Sequence, residues 1–320
     1  MARPTVFVTR RIMQEGVDLL ATVFDVDYNV EDRPHSASEL AARAKSKDAL
    51  VTILTDRVDD ALLAQLPGLK VVANVAVGYD NIDTVAAKKH GVLVTNTPGV
   101  LTEATADFAF TLLLAAGRRV AEADRYVRAG KFKNWEMMGF HGGDLAGATL
   151  GIAGFGRIGQ AVAKRGRGFG MHVIYSDEHR SPEALESELG ARFVDKETLI
   201  ASSDFLSLHV PLLPTTHHYI GAAELQAMKK TAYLINTSRG PVVDEAALAR
   251  ALQAGEIAGA GLDVYEREPQ VEPLLLTLDN VTLAPHIASA TVATRRKMAL
   301  MAAENAIAAV RGIEPPNRVA

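Results

Sequence analysis

Residues 149–159 read Thr149-Leu150-Gly151-Ile152-Ala153-Gly154-Phe155-Gly156-Arg157-Ile158-Gly159: a short apolar run, then three glycines spaced G-x-G-x-x-G, then an amphipathic stretch. A strand before the glycines, a helix after them and an acid about 20 residues on make this spacing a dinucleotide-binding fingerprint. Here the acid is Asp177, eighteen residues past Gly159. The glycines let the backbone turn sharply and approach a pyrophosphate, while the helix opening near Arg157 offers free N–H groups and the positive end of its dipole. A glycine-rich turn in another α/β protein would share the spacing alone; the surrounding pattern favours the cofactor.

Asp177 also bears on which dinucleotide binds. A carboxylate accepts from the ribose hydroxyls and repels a 2′-phosphate, and Glu178 adds a second repulsion, so NAD is expected. His179 and Arg180 lie near enough in sequence to reach a phosphate, which keeps NADP open.

Working outward, short β-branched runs at 5–9, 26–30, 49–55, 71–76 and 92–96 alternate with helical stretches, and a second series starts at 149 and continues at 173–176, 205–210, 233–236, 260–264 and 281–284. Alternation of this kind implies parallel βα units, and two series imply two doubly wound parallel sheets. Between them, Leu101, Ala104, Phe108, Leu112 and Ala115 predict one long helix over 101–129, after the Pro98-Gly99 break. A last helix is predicted over 291–311; if it returns to the first sheet, the chain crosses between domains twice. The segment 130–147 carries Phe132, Trp135, Met137, Met138 and Phe140 without a clear period. It reads either as a loop folded over its own domain or as an arm packed on a second subunit, because large apolar patches on monomers are uncommon.

The whole composition narrows the function classes. The 320 residues are 48% hydrophobic and 22% charged with a net charge of −4. No basic face suggests nucleic acid, and the longest apolar stretch falls short of the roughly 20 residues a membrane span requires. Cysteine is absent, which excludes disulfides and thiolate catalysis and fits a reducing, cytoplasmic setting. The first ten residues read as a first strand rather than a signal peptide.

Polar residues recur at the carboxyl ends of later strands, where ligands bind in open α/β sheets. Arg239 closes Leu234-Ile235-Asn236-Thr237-Ser238-Arg239-Gly240, Glu268 follows Leu262-Asp263-Val264-Tyr265, and His286 sits in Ala284-Pro285-His286-Ile287. Hydride transfer to a ketone builds negative charge on its oxygen, so a site for it needs a cation to orient the substrate and an acid to supply a proton. A glutamate bonded to an imidazole favours the charged ring and keeps a proton available near neutral pH. Taken singly, the three also read as a strand-end cation, a loop acid and a helix-flanking histidine. His209 reads as a lining residue of the cofactor cleft, and His217 and His218 as a helix start. No metal-ligand spacing and no nucleophile elbow is present, and no metal is expected.

The chain resembles the D-isomer-specific 2-hydroxyacid dehydrogenases, and within them the glyoxylate and hydroxypyruvate reductases. The resemblance rests on Val77-Gly78-Tyr79-Asp80-Asn81-Ile82-Asp83, Asn96-Thr97-Pro98-Gly99, the fingerprint, His209-Val210-Pro211-Leu212, the stretch from Asn236 to Gly240, Gly261-Leu262-Asp263-Val264 through Glu268-Pro269, and Pro285-His286-Ile287.

It implies a flavodoxin-like substrate lobe (1–99 plus 288–320) and a Rossmann NAD(P)-binding lobe (100–287), with a cleft between them and a dimerisation arm near 118–147. It implies that Arg239 binds the 2-oxo acid, His286 is the acid/base, Glu268 tunes it, and Val77 and Gly78 N–H groups, with Ser289, meet the substrate. Around the cofactor it places Gly154, Phe155, Gly156, Arg157, Ile158, Gly159, Asp177, Val210, Pro211, Thr216, Thr237, Ser238, Arg239, Asp263 and His286. Gly139 stands where these reductases often carry a tryptophan, and Ile53-Leu54 is apolar where a phosphate-binding arginine would be wanted. A small, unphosphorylated 2-oxo acid, a homodimer and NAD, with NADP as alternative, are the resulting expectations. Phosphoglycerate or D-lactate dehydrogenases are the nearest rival enzymes; NAD-sensing corepressors of related fold are the rival binding proteins.

Overall fold

The computed structural model describes residues 3–320; the first two residues of the N-terminal strand reading lie outside the described residues. The chain divides into two compact units, one running to Leu101 and resuming at Ser289–Ala320, the other spanning Thr102–Ala288.

The first unit holds a parallel sheet of β1 (Thr5–Val8), β2 (Asp25–Tyr28), β3 (Ala49–Thr52), β4 (Val71–Asn74) and β5 (Leu93–Thr95) in the order β2-β1-β3-β4-β5. This is the flavodoxin-like order, in which the first crossover runs one way and the later ones the other. β3 and β4 are buried along their whole length, as strands covered on both faces must be, and they read as continuous apolar runs for that reason. The final helix, Val292–Val310, is capped by the Thr291 hydroxyl, which accepts from Thr294 N–H at 3.1 Å. It lies against Gln14–Ala21 so closely that a Cβ on Gly16 would stand 2.8 Å from that of Ala299. The chain then ends along β5, where Val94 N–H donates to Ala320 O at 2.9 Å. Apolar burial of this kind stabilises by about 25 cal/mol per Å².

The second unit holds seven parallel strands: β6 (Thr149–Ala153), β7 (His172–Ser176), β8 (Ala191–Phe193), β9 (Phe205–Leu208), β10 (Tyr233–Asn236), β11 (Gly259–Leu262) and β12 (Val281–Leu283). Their order, β12-β11-β10-β9-β6-β7-β8, reverses direction at β6, so the fingerprint lies at the topological switch point. β8 is a three-residue edge strand, Ala-Arg-Phe, too short to register as an apolar run in the sequence.

Two readings change. The single helix over 101–129 is two helices, Thr102–Gly117 and Val120–Arg128, broken where Arg119 takes φ +53°. The break coincides with close packing: a Cβ on Gly117 would stand 2.7 Å from the Phe205 ring, and one on Gly142 2.3 Å from Gly117 O. The segment 130–147 buries Leu145 in the core but leaves most of its large apolar residues uncovered by the chain itself. Phe132, Trp135, Met137 and Met138 are 60–80% exposed, whereas Phe140 packs edge-on against Tyr126. Among the described residues no helix is long and apolar enough to cross a membrane.

Candidate active site

β6 delivers the fingerprint. Gly154 has φ +87°, and a Cβ there would stand 2.7 Å from His209 C and Val210 N, so only glycine fits. A Cβ on Gly159 would stand 2.2 Å from Gly154 O, which explains why helix Arg157–Gly168 can start so near the strand end. Gly156, the residue before that helix, faces open space, and no side chain caps the helix start. An open approach at an uncapped helix N-terminus fits a pyrophosphate. Asp177, just past β7, accepts from Phe155 N–H at 2.5 Å and from Glu178 N–H at 2.7 Å, which fixes its carboxylate beside the glycine loop. Arg180 is engaged elsewhere: its Nε and terminal nitrogen meet Glu186 at 3.0 and 2.8 Å. That contact and the Tyr175 hydroxyl hold the Glu186 carboxyl down at about 2. Arg180, which the sequence placed within reach of a phosphate, is thus paired with Glu186 rather than turned toward Asp177.

The next strand ends complete the nucleotide side. Val210 and Pro211 follow β9, and His209 N–H donates to Ala153 O at 2.7 Å, tying that loop to β6. The Thr216 hydroxyl is spent within the loop, on Pro211 O at 2.5 Å and Leu213 N–H at 2.8 Å, so it shapes the loop. The buried Thr237 hydroxyl has no hydrogen-bond partner, an orphan that a bound ligand would satisfy. His209 meets Ser207 Oγ at 2.8 Å, and the protein atoms packed around it push its pKa down to about 4. It is neutral at physiological pH and has no proton to give there.

Arg239, Glu268 and His286 come from the ends of β10, β11 and β12. Buried Asn236 organises the first of these turns: its Oδ1 accepts from Ser238 N–H and Oγ at 3.0 and 2.9 Å, and its Nδ2 donates to Arg239 O at 2.9 Å. Gly240 is required next, because a Cβ there would stand 1.9 Å from Tyr265 C and O. His286 Nδ1 lies 2.9 Å from Glu268 Oε2, and Tyr265 N–H donates to the other carboxylate oxygen at 3.1 Å. Burial opposes ionisation of Glu268, but the His286 hydrogen bond and charge, Tyr265 N–H and the Arg239 charge outweigh it, so its pKa is lowered. An ionised carboxylate only accepts; Nδ1 therefore carries the hydrogen, and Nε2 is left as the ring nitrogen not engaged by Glu268.

Asp263 lies beneath this pair, fully buried. Its oxygens accept from Ile287 and Ala288 N–H at 2.7 and 2.8 Å, and its own carbonyl accepts from His286 N–H at 2.8 Å. These bonds hold His286 at φ +56°, a conformation few non-glycine residues adopt. Burial raises the Asp263 pKa, against the two N–H donors and His286. The support given by Asn236, Asp263 and Tyr265, whose hydroxyl donates to Ala284 O at 2.9 Å and is pushed up to about 12 by burial, was not assigned from the sequence. Buried polar residues at strand ends were the signal that could have found it.

In the first unit, the loop after β4 presents Val77 and Gly78. Asn96 Nδ2 donates to Val77 O at 2.8 Å and Asn74 Nδ2 to Gly78 O at 3.0 Å. With both carbonyls tied back, the N–H groups of Val77 and Gly78 have no acceptor among the described residues. One cluster that spacing did not disclose also emerges in the second unit, where His217, His218 and Glu266 bring ligand atoms within 4.8 Å of one another.

Residues 110–288 match the model of a family described as D-isomer specific 2-hydroxyacid dehydrogenase, NAD binding domain. The chain is 53% identical to a glyoxylate reductase of Thermococcus litoralis, over 99% of this chain and 97% of that protein. It is 54% identical to a glyoxylate reductase of Korarchaeum cryptofilum, over 99% and 96%. Among solved structures, an NADPH-dependent glyoxylate/hydroxypyruvate reductase from Sinorhizobium meliloti, in complex with NADP and malonate, superposes with a TM-score of 0.89 at 34% identity, covering 100% of this chain and 97% of that one.

Proposed function

The chain belongs to the D-isomer-specific 2-hydroxyacid dehydrogenase family, and on that premise we propose that it reduces glyoxylate or hydroxypyruvate to glycolate or D-glycerate with a nicotinamide cofactor. The observation that carries this reading is the Glu268–His286 pair at 2.9 Å, with the Arg239 charge acting on it and an uncapped glycine-loop helix on the same sheet. Gly154 to Gly159 and Asp177 hold the cofactor, with Val210, Pro211, Thr216, Thr237, Ser238 and Asp263 completing or supporting its surroundings. Reduced nicotinamide, when bound, supplies a hydride for C2 of the substrate.

The chain's own residues handle the charge and the proton. Arg239 orients the 2-oxo acid and offsets the negative charge that grows on the C2 oxygen. His286 Nε2 gives that oxygen its proton, and Glu268 holds the ring in the required tautomer. Val77 and Gly78 N–H groups, with Ser289, receive the substrate carboxylate in the first unit, where the tied-back carbonyls support the assignment. In the reverse direction the same histidine takes the proton back.

NADH is the proposed preference, because Asp177 is fixed beside the glycine loop while Arg180 is committed to Glu186. The exposed Phe132, Trp135, Met137 and Met138 support an arm that a second copy of the chain covers. The cysteine-free composition fits a cytoplasmic enzyme. A panel of 2-oxo acids followed by loss of NADH absorbance tests the reading: glyoxylate and hydroxypyruvate should turn over best, and no turnover of any member would refute it.

A further inference from the structure

Outside the trio, the second unit contains a second group of imidazoles and a carboxylate with its own geometry. His217 and His218 stack with ring centroids 4.0 Å apart and planes 28° from parallel, and His218 Nε2 lies 3.0 Å from Glu266 Oε1. The ligand atoms of all three lie within 4.8 Å of one another. Tetrahedral coordination at ~2.1 Å separates ligand atoms by about 3.4 Å, so small side-chain rotations would close the group around an ion. His217 is exposed and the other two are half-buried, which leaves an approach from solvent and room for water as a further ligand.

The backbone positions these groups firmly. His218 takes φ +49°, held there by its N–H on Pro241 O at 2.8 Å and by Ile220 N–H on Val242 O at 3.1 Å. Glu266 is fixed at its own end, its N–H donating to Glu245 Oε2 at 2.6 Å and its Oε2 receiving Glu245 N–H at 3.4 Å. Outer-shell bonds of this sort orient a metal-binding carboxylate. Two imidazoles with one carboxylate suit Zn²⁺ and its neighbours, while Mg²⁺ and Ca²⁺ ask for oxygen ligands alone.

We propose that His217, His218 and Glu266 form a binding site for a divalent transition cation of the zinc class. The ion ties the segment after β9 to the segment after β11. His218 bonds to Pro241, two residues past Arg239, and Glu266 lies two residues before Glu268, so the site braces both turns that carry the trio. No cysteine exists to offer a competing thiolate site.

Calorimetric titration of the full-length, tag-free chain with Zn²⁺, without substrate or cofactor, tests this directly. One Zn²⁺ per chain with micromolar affinity is expected, with an upward shift in melting temperature that a chelator reverses. His217→Ala, at an exposed position, should leave the metal-free melting temperature unchanged and weaken binding at least tenfold; Glu266→Gln should weaken it similarly. Mg²⁺ should give no saturable heat. Absence of saturable Zn²⁺ binding, or unchanged affinity in His217→Ala, would overturn the proposal, and neither result bears on 2-oxo acid reduction.

Discussion

The glycine loop at 154–159 and the trio Arg239, Glu268 and His286 belong to strand ends of one sheet, yet they are built by opposite means. The loop is contiguous and shaped by what is missing: no Cβ at Gly154 or Gly159, no side-chain cap on the helix that follows. The trio is gathered from three strand ends and shaped by what lies beneath it, Asn236 under Arg239 and Asp263 under His286. One region is a backbone surface suited to phosphate; the other is a charged side-chain relay suited to proton transfer. Binding and chemistry should therefore separate under mutation.

The largest effect is expected at the relay. His286→Asn should lower kcat by about 10²–10⁴, the usual worth of a general acid, with the dissociation constant for NADH nearly unchanged. Stopped-flow rates and fluorescence titration read the two quantities separately, and a parallel fall in both would merge the two regions into one. Next comes the loop: Gly154→Ala places a methyl 2.7 Å from backbone atoms of His209 and Val210 at φ +87°. It should weaken NADH binding at least about tenfold, since strain of this kind costs on the order of 1–3 kcal/mol. Asp177→Ser should then shift the ratio of kcat/KM for NADH over NADPH towards NADPH by about tenfold, the worth of one carboxylate–ribose interaction near 1.4 kcal/mol.

The smallest effect concerns pH and lies at the seam between the regions. His209 titrates near 4 in the folded protein and near 6.5 unfolded, so the unfolded chain binds more protons between those values and stability rises with pH across that window. The contribution is complete above about pH 6.5 and is lost as pH falls towards 4. His209 as a residue is half-buried, so water offsets part of the desolvation and roughly 1–2 kcal/mol is expected, under the full value of the shift. His209→Gln should flatten the slope of unfolding free energy against pH in urea titrations; an unaltered slope would show that His209 is not its source.

The same contrast explains what could be read in advance. The loop was legible because its residues are consecutive and glycine's requirement is local: G-x-G-x-x-G after an apolar run leaves few backbone shapes. The two sheets were legible from alternation, apart from β8, whose Ala-Arg-Phe is too short and too polar to stand out. Arg239, Glu268 and His286 were marked by their place at strand ends, while the resemblance supplied their roles. Asn236 and Asp263 went unassigned as supports because their function depends on turns folding over them. The break at Arg119 was hidden because it answers to Phe205 and Gly142, distant in sequence. His217, His218 and Glu266 escaped for the same reason: Glu266 is 48 residues from the histidine it bonds.

The most direct measurement is a single-turnover experiment with NADH and glyoxylate on the wild-type chain, His286→Asn and Gly154→Ala, recording NADH affinity and the rate of NADH oxidation at saturation for each. The expected result is a double dissociation: His286→Asn binds NADH normally and oxidises it at least a hundredfold more slowly, a loss set by its role as general acid. Gly154→Ala should bind NADH poorly and recover most of its rate once saturated. A wild-type rate in His286→Asn, or an equal loss of affinity in both variants, would contradict the assignment of binding to the glycine loop and chemistry to the relay.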